Sequence, residues 1–165
     1  MSTETVSSQQ AQKTFLPMSL HIMITILRIA LGAAMLEAGL DKLISGDFSI
    51  SSYVSHGSGP FADLFTHLAS VSGALSPLVI WGEILIGLSL ILGIFLRFGG
   101  FFGAILMIMY YLPYLPQENG WVSQQIIYML VFVTMIFSNN GYFFGIDRLV
   151  MKLENKLPGL RLILG

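Results

Sequence analysis

The chain has 165 residues, of which 55% are hydrophobic and 10% charged, with a mean hydropathy of +0.77. A soluble domain carries roughly 25% charge, so this composition argues against a water-soluble globule. The net charge of −1 offers no cationic footprint for nucleic acid. The absence of cysteine excludes disulfides, Fe–S clusters, thiolate zinc sites, c-type haem attachment and cysteine nucleophiles, so redox chemistry would require a bound organic molecule or another subunit.

The polar start, residues 1–19, reads as a short disordered tail. A first apolar span follows over about 20–40. It is not a convincing signal peptide, because it is long, contains Arg28 and Glu37, and precedes no clear small-residue cleavage site. The loop over 41–77 contains the irregular SYVSHGSGPF. Beyond it, Phe61, Leu64, Phe65, Leu68, Val71 and Leu75 recur at helical spacing, which predicts an amphipathic helix on the membrane surface or across the bundle mouth. That helix is either a lid or a simple connector.

A second span is expected over about 78–96 and a third over about 98–115, separated by Arg97 alone, hence a tight hairpin. A short loop over 113–120 leads to the fourth span at about 121–138. The transmembrane domain is thus expected over 20–146. Residues 147–165 form a basic amphipathic segment, with Arg148, Lys152 and Lys156 spaced by four, that suits an anchor on anionic lipid. The fold class is therefore all-α: an integral-membrane four-helix bundle with an amphipathic helix in the first outer loop. Trp81, Tyr110, Tyr111, Tyr114, Trp121 and Tyr142 lie near span ends, as an aromatic belt requires.

Four crossings put both termini on one side, which collects Lys13, Arg97, Arg148, Lys152, Lys156 and Arg161, against Lys42 on the other. The positive-inside rule places the termini in the cytoplasm and the loops 41–77 and 113–120 outside a cell membrane.

Arg28, Glu37 and Glu83 are charges within spans, where each is costly unless paired, neutralised or wetted. At 1.5 Å per residue, Arg28 lies roughly 12 Å from the inner end, Glu37 roughly 13 Å farther out, and Glu83 roughly 7 Å below the outer surface. Tyr110, Tyr111, Gln124, Gln125 and Tyr128 share that outer half, so polar groups from four helices are expected to converge there. Arg28 and Glu37, nine positions apart, face opposite sides of their helix. Glu37 would then pair with a neighbour such as Lys42, and Arg28 would reach Glu83. Such a pair either carries protons or only fixes helix register. Ala30, Ala34 and Ala38, and likewise Gly99 and Gly103, are small-residue faces for close helix approach.

Other chemistry finds no support. His21 has no second histidine within a span, so a bis-histidine haem is excluded. His56 and His67 in the first loop read as surface residues without metal-ligand spacing. The chain shows no phosphate loop, no dinucleotide fingerprint for a flavin or nicotinamide and no nucleophile elbow. The nine Met residues read as core or lipid contacts. A small transporter fits poorly, since no inverted repeat is visible.

The segment LRIALGAAMLEAGLDKLISGDF, carrying Arg28, Glu37, Gly39 and Lys42, resembles the opening of the DoxX/DoxD superfamily. VIWGEILIGLSLILGIFLRFGGFFGAILM, with Trp81, Gly82, Glu83, Gly87, Gly93 and Arg97, looks most like the DoxD branch. GYFFGIDRLV, with Gly141, Gly145, Asp147 and Arg148, resembles that branch's closing motif. The resemblance implies the small membrane subunit of a thiosulfate:quinone oxidoreductase, which couples two thiosulfates to tetrathionate, reduces a membrane quinone and works with a second membrane subunit. Arg28, Glu37, Lys42 and Glu83 sit in the matching motifs. Glu83, Arg28 and Glu37 are then the expected proton-handling residues. Arg28, Glu83, Tyr110, Tyr128 and Lys42 are the expected quinone contacts. The alternative implied by the broader superfamily is a non-catalytic membrane subunit that stabilises a larger complex.

Overall fold

The computed structural model describes residues 18–55, 60–115, 120–138 and 145. The expected polar tail before Met18, the closing GYFFGIDRLV motif apart from Gly145, and the basic segment 147–165 lie outside the described residues.

Helix α1 spans Met18–Ser45 and buries His21, Ile24, Arg28, Leu31, Gly32, Met35 and Gly39. These residues recur every three or four positions, so they form one stripe along the helix. Helix α4, Ser72–Leu92, lies antiparallel against that stripe. A Cβ on Gly32 would stand 3.0 Å from Leu90 Cβ, one on Gly39 2.8 Å from Ile84 Cγ1, and one on Gly87 2.7 Å from the Leu36 backbone nitrogen. The seam is therefore glycine against backbone. Ala30, expected in a close-packing face, is exposed.

Helix α4 turns into α5, Leu96–Tyr111, through Gly93 to Phe95 rather than at Arg97. Gly93 takes the left-handed conformation, φ 68°, and the Ile94 amide donates back to the Ser89 carbonyl at 3.1 Å. That six-to-one bond is a Schellman closure, which glycine accommodates without steric cost. Arg97 falls inside the first turn of α5. Helix α6, Gln124–Phe137, packs along α5, with the Phe132 ring filling the space that a side chain at Gly103 would need.

Met18–Ser45, Ser72–Leu92 and Leu96–Tyr114 are long and apolar enough to cross a bilayer. The fourth expected crossing is a shorter apolar helix of 14 residues, about 21 Å long at 1.5 Å per residue.

The first loop folds into α2, Ile50–Ser55, and α3, Ala62–Ser70. Phe65, 3% exposed, points inward from α3, while Phe61, Leu64 and Val71 stay exposed and Leu75 falls on α4, so the helix expected from the sequence is present but ends at Ser70, short of its expected stripe. Ser76 on α4 accepts a hydrogen bond from the Ile50 amide at 3.0 Å and pins α2 to the bundle. The two short helices, with the turn Leu112–Tyr114, close one end of the bundle, here called the loop end.

Candidate functional site

Glu83 sits midway along α4 and is 1% exposed. Its Cβ faces Gly39, where a Cβ would lie 3.1 Å away, so the α1 helix passes close beside it. The next residue on that face of α1 is Lys42, three positions on. Helix side chains lean toward the N-terminus, which brings the Lys42 ammonium back over Glu83. Lys42 Nζ donates to both Glu83 carboxylate oxygens at 2.6 Å. From α5, the Tyr110 hydroxyl donates to Glu83 Oε1 at 2.6 Å. Donors from two helices thus satisfy the carboxylate of a third. The ammonium also lies 5.1 Å from the centroid of the Phe48 ring and 5.3 Å from that of Tyr110, distances at which a cation gains from a ring face.

The loop end braces this cluster. The Tyr53 hydroxyl on α2 donates to the Tyr110 carbonyl at 3.0 Å, and the Tyr114 hydroxyl donates to the Tyr53 carbonyl at 2.7 Å. The Tyr53 ring meets Tyr110 and Tyr114 edge-on at 5.2 and 5.1 Å. Burial, with a smaller contribution from neighbouring Tyr114, pushes the Tyr53 phenol above the ordinary tyrosine value. A small apolar cleft opens between the loop helices and the bundle, lined by Ile50, Tyr53, Val54, Phe65, Leu68, Val79, Leu106, Met109 and Tyr110. Tyr110 therefore borders the cleft with its ring and touches Glu83 with its hydroxyl.

Chemically, the cluster joins an ammonium, a carboxylate and a phenol through short hydrogen bonds. Lys42 keeps 21% of its side chain exposed against 1% for Glu83. The chain Tyr110–Glu83–Lys42 thus connects an apolar cleft to the surface through groups that can exchange protons.

The expected Arg28–Glu83 pair does not form. Arg28 is 1% exposed, and its guanidinium lies against Gly93, where a Cβ would approach Nη1 to 2.9 Å. Gly93 is ten residues from Glu83, about 15 Å along α4, too far for one side chain to bridge. Glu37 shares the level expected for it, two residues from Gly39, but it is exposed and takes no part in the cluster. The alternative Glu37–Lys42 pair is likewise replaced, because those positions lie about 140° apart around α1 at 100° per residue. Tyr128 accepts from the Gln124 amide at 2.7 Å, one turn away on its own helix, and does not bond Glu83. The polar convergence therefore draws on α1, α4 and α5, with α2 from the loop in place of α6.

Sequence reasoning missed Phe48, Tyr53 and Tyr114 as parts of the site. One signal was present: Arg28, Met35 and Lys42 are spaced by seven, so Lys42 continues the buried stripe of α1.

The family model described as DoxX matches residues 23–113. That is more than half of the chain and includes Lys42, Glu83 and Tyr110. No curated protein and no solved structure matches the chain.

Proposed function

The chain belongs to the DoxX family and is a multi-pass membrane protein, and from that premise we propose that it is the quinone-facing membrane subunit of a thiosulfate-oxidising oxidoreductase. The observation that carries this reading is the Tyr110–Glu83–Lys42 chain beside an apolar cleft. The cleft walls are apolar, and its volume of about 10 Å³ is that of one water, so a quinone ring would enter only as the loop helices part from the bundle, with the Tyr110 hydroxyl, now turned to Glu83, as the proton donor at its rim. The likeness of the span motifs to the DoxD branch points to thiosulfate as the electron source.

The reaction balances as two thiosulfates and one quinone, with two protons, giving tetrathionate and quinol. A quinone supplies the two-electron acceptor when bound. Cysteine is absent from the chain, so the electrons pass through a bound organic molecule or another subunit, and the proposal assigns them to a second subunit. Within this chain, Tyr110 gives a proton at the cleft, Glu83 relays its replacement, and Lys42 recovers one from water. The proposal takes the loop end as outside and the termini as cytoplasmic, on the bias of Lys and Arg toward the termini side.

A second reading is favoured by the complete pairing of Glu83: the cluster is a staple in a non-catalytic subunit that stabilises a larger complex. Membranes carrying this chain and its partner, assayed for thiosulfate-dependent quinone reduction together with subunit abundance, separate the two. Glu83→Gln and Tyr110→Phe are expected to lower turnover per assembled complex by about 10²-fold, the lower end of what a positioned acid–base group contributes. Unchanged turnover with reduced abundance overturns the catalytic reading in favour of the staple.

A further inference from the structure

Glu37 stands at the level of the Lys42–Glu83–Tyr110 cluster but on the outward face of α1. Among the described residues it forms no hydrogen bond or ion pair. The α1 surface around it is apolar on both sides along the helix: Ile26 and Ile29 are exposed toward the N-terminus, and Leu40 and Ile44 toward the C-terminus. Ile44 lies seven residues, about 10 Å, beyond Glu37, so exposed apolar residues flank the carboxyl on both sides, with Asp41 among them on the C-terminal side. A charged group on a lipid-facing surface is costly, and such groups normally face a partner or a wetted cavity. The cations of this chain near that level are committed, since Lys42 is bonded to Glu83 and Arg28 is buried against Gly93. A second copy therefore offers no described cation to meet it. Asp41, one turn on and also exposed, makes the face more negative.

We propose that the outward face of α1 around Glu37 docks a transmembrane helix of a different subunit, one that presents a lysine or arginine at the matching depth. Charge complementarity selects this occupant, and the exposed Ala30 and Ala33 let its backbone come close. The inference concerns assembly alone and stands whether or not the redox reading holds.

The test uses the full chain in phosphatidylcholine vesicles, with a fluorophore on Leu64→Cys, a unique thiol in a cysteine-free chain. Energy transfer is measured to three labelled polyleucine transmembrane peptides that carry lysine, glutamate or leucine at one matched position. The lysine peptide is expected to associate at least tenfold more tightly than the leucine peptide. Glu37→Leu removes that preference, and Glu37→Lys transfers it to the glutamate peptide. Asp63→Asn on α3 leaves it intact. Equal association of all three peptides overturns the proposal. So does transfer between two copies of the chain that Glu37→Leu abolishes, which makes the occupant a second copy instead.

Discussion

Replacing Lys42 by methionine removes the ammonium that holds both oxygens of Glu83. Glu83 is 1% exposed, so its charge keeps one partner, the Tyr110 hydroxyl, and no water. Breaking a buried pair in this way costs about 3–5 kcal/mol. The reverse substitution is milder. In Glu83→Leu the Lys42 side chain, 21% exposed, swings its ammonium to water. The loss is the Tyr110 hydrogen bond, about 1–3 kcal/mol. The double variant Lys42→Met with Glu83→Leu leaves no buried charge, and hydrophobic replacement of a buried pair is neutral or stabilising by up to about 4 kcal/mol. Only the orphaned Tyr110 hydroxyl counts against it. The double variant is therefore expected within about 2 kcal/mol of the parent, although the single losses sum to about 4–8 kcal/mol. Reversible unfolding in mixed micelles, titrated with sodium dodecyl sulfate and followed by tryptophan fluorescence, measures all four corners of the cycle. A double variant as unstable as the sum of the singles, or a Lys42→Met loss below about 1 kcal/mol, refutes the reasoning.

The glycine seam makes a paired prediction. Gly87→Ala places a Cβ 2.7 Å from the Leu36 nitrogen and 2.8 Å from the Gly32 oxygen. These are backbone atoms that cannot step aside, so a loss of about 1–3 kcal/mol is expected. Gly82→Ala meets nothing within 4 Å and should gain about 0.5–1 kcal/mol from helix propensity. The same micelle titration reads both. Alkaline pH tests the loop-end brace. The Tyr53 phenol is raised by burial, so the folded protein holds its proton more tightly than the unfolded chain, whose tyrosines ionise near pH ~10. Its contribution is complete below that pH and is lost as pH rises above it. Between about pH 10 and 12 the melting temperature of the parent should fall more steeply than that of Tyr53→Phe; parallel curves count against the brace.

Composition and span length were enough to read an all-helical membrane bundle, because both follow from the need to satisfy backbone groups in lipid. The helix of the loop was legible from the spacing of Phe61 to Leu68, but that spacing ran on to Leu75 and did not register the break at Val71. Depth arithmetic put Glu37 and Glu83 at one level, and Gly39 against Glu83 agrees with it. Depth does not fix azimuth, however. The partner of Glu83 was decided by which α1 residues share the face of Gly39, and that face contains Lys42 and excludes Glu37. The loop contribution was less legible for a different reason. Tyr53 lies in a Ser- and Gly-rich stretch that advertises irregular backbone, and its position depends on the Ser76 bond to Ile50 and on the Tyr110 carbonyl. Both contacts join residues far apart in sequence, which periodicity cannot register.

The separation of Arg28 from the loop-end cluster has a consequence for the proposed chemistry. Arg28 and Lys42 lie on one stripe of α1, fourteen residues or about 21 Å apart. Between them the stripe and its α4 counterpart are lined by Leu31, Met35, Ile86 and Leu90, all buried and apolar. Among the described residues this stretch presents no side chain that can pass a proton, so they give the loop-end cluster no route to Arg28 along this seam. The exposed part of Lys42 opens at the loop end. Under the proposed reaction, protons passed to a quinone would therefore be taken from the side that bears α2 and α3. The buried Arg28 itself lies at the Gly93 turn, where its guanidinium and the left-handed glycine occupy a space too small for a side chain.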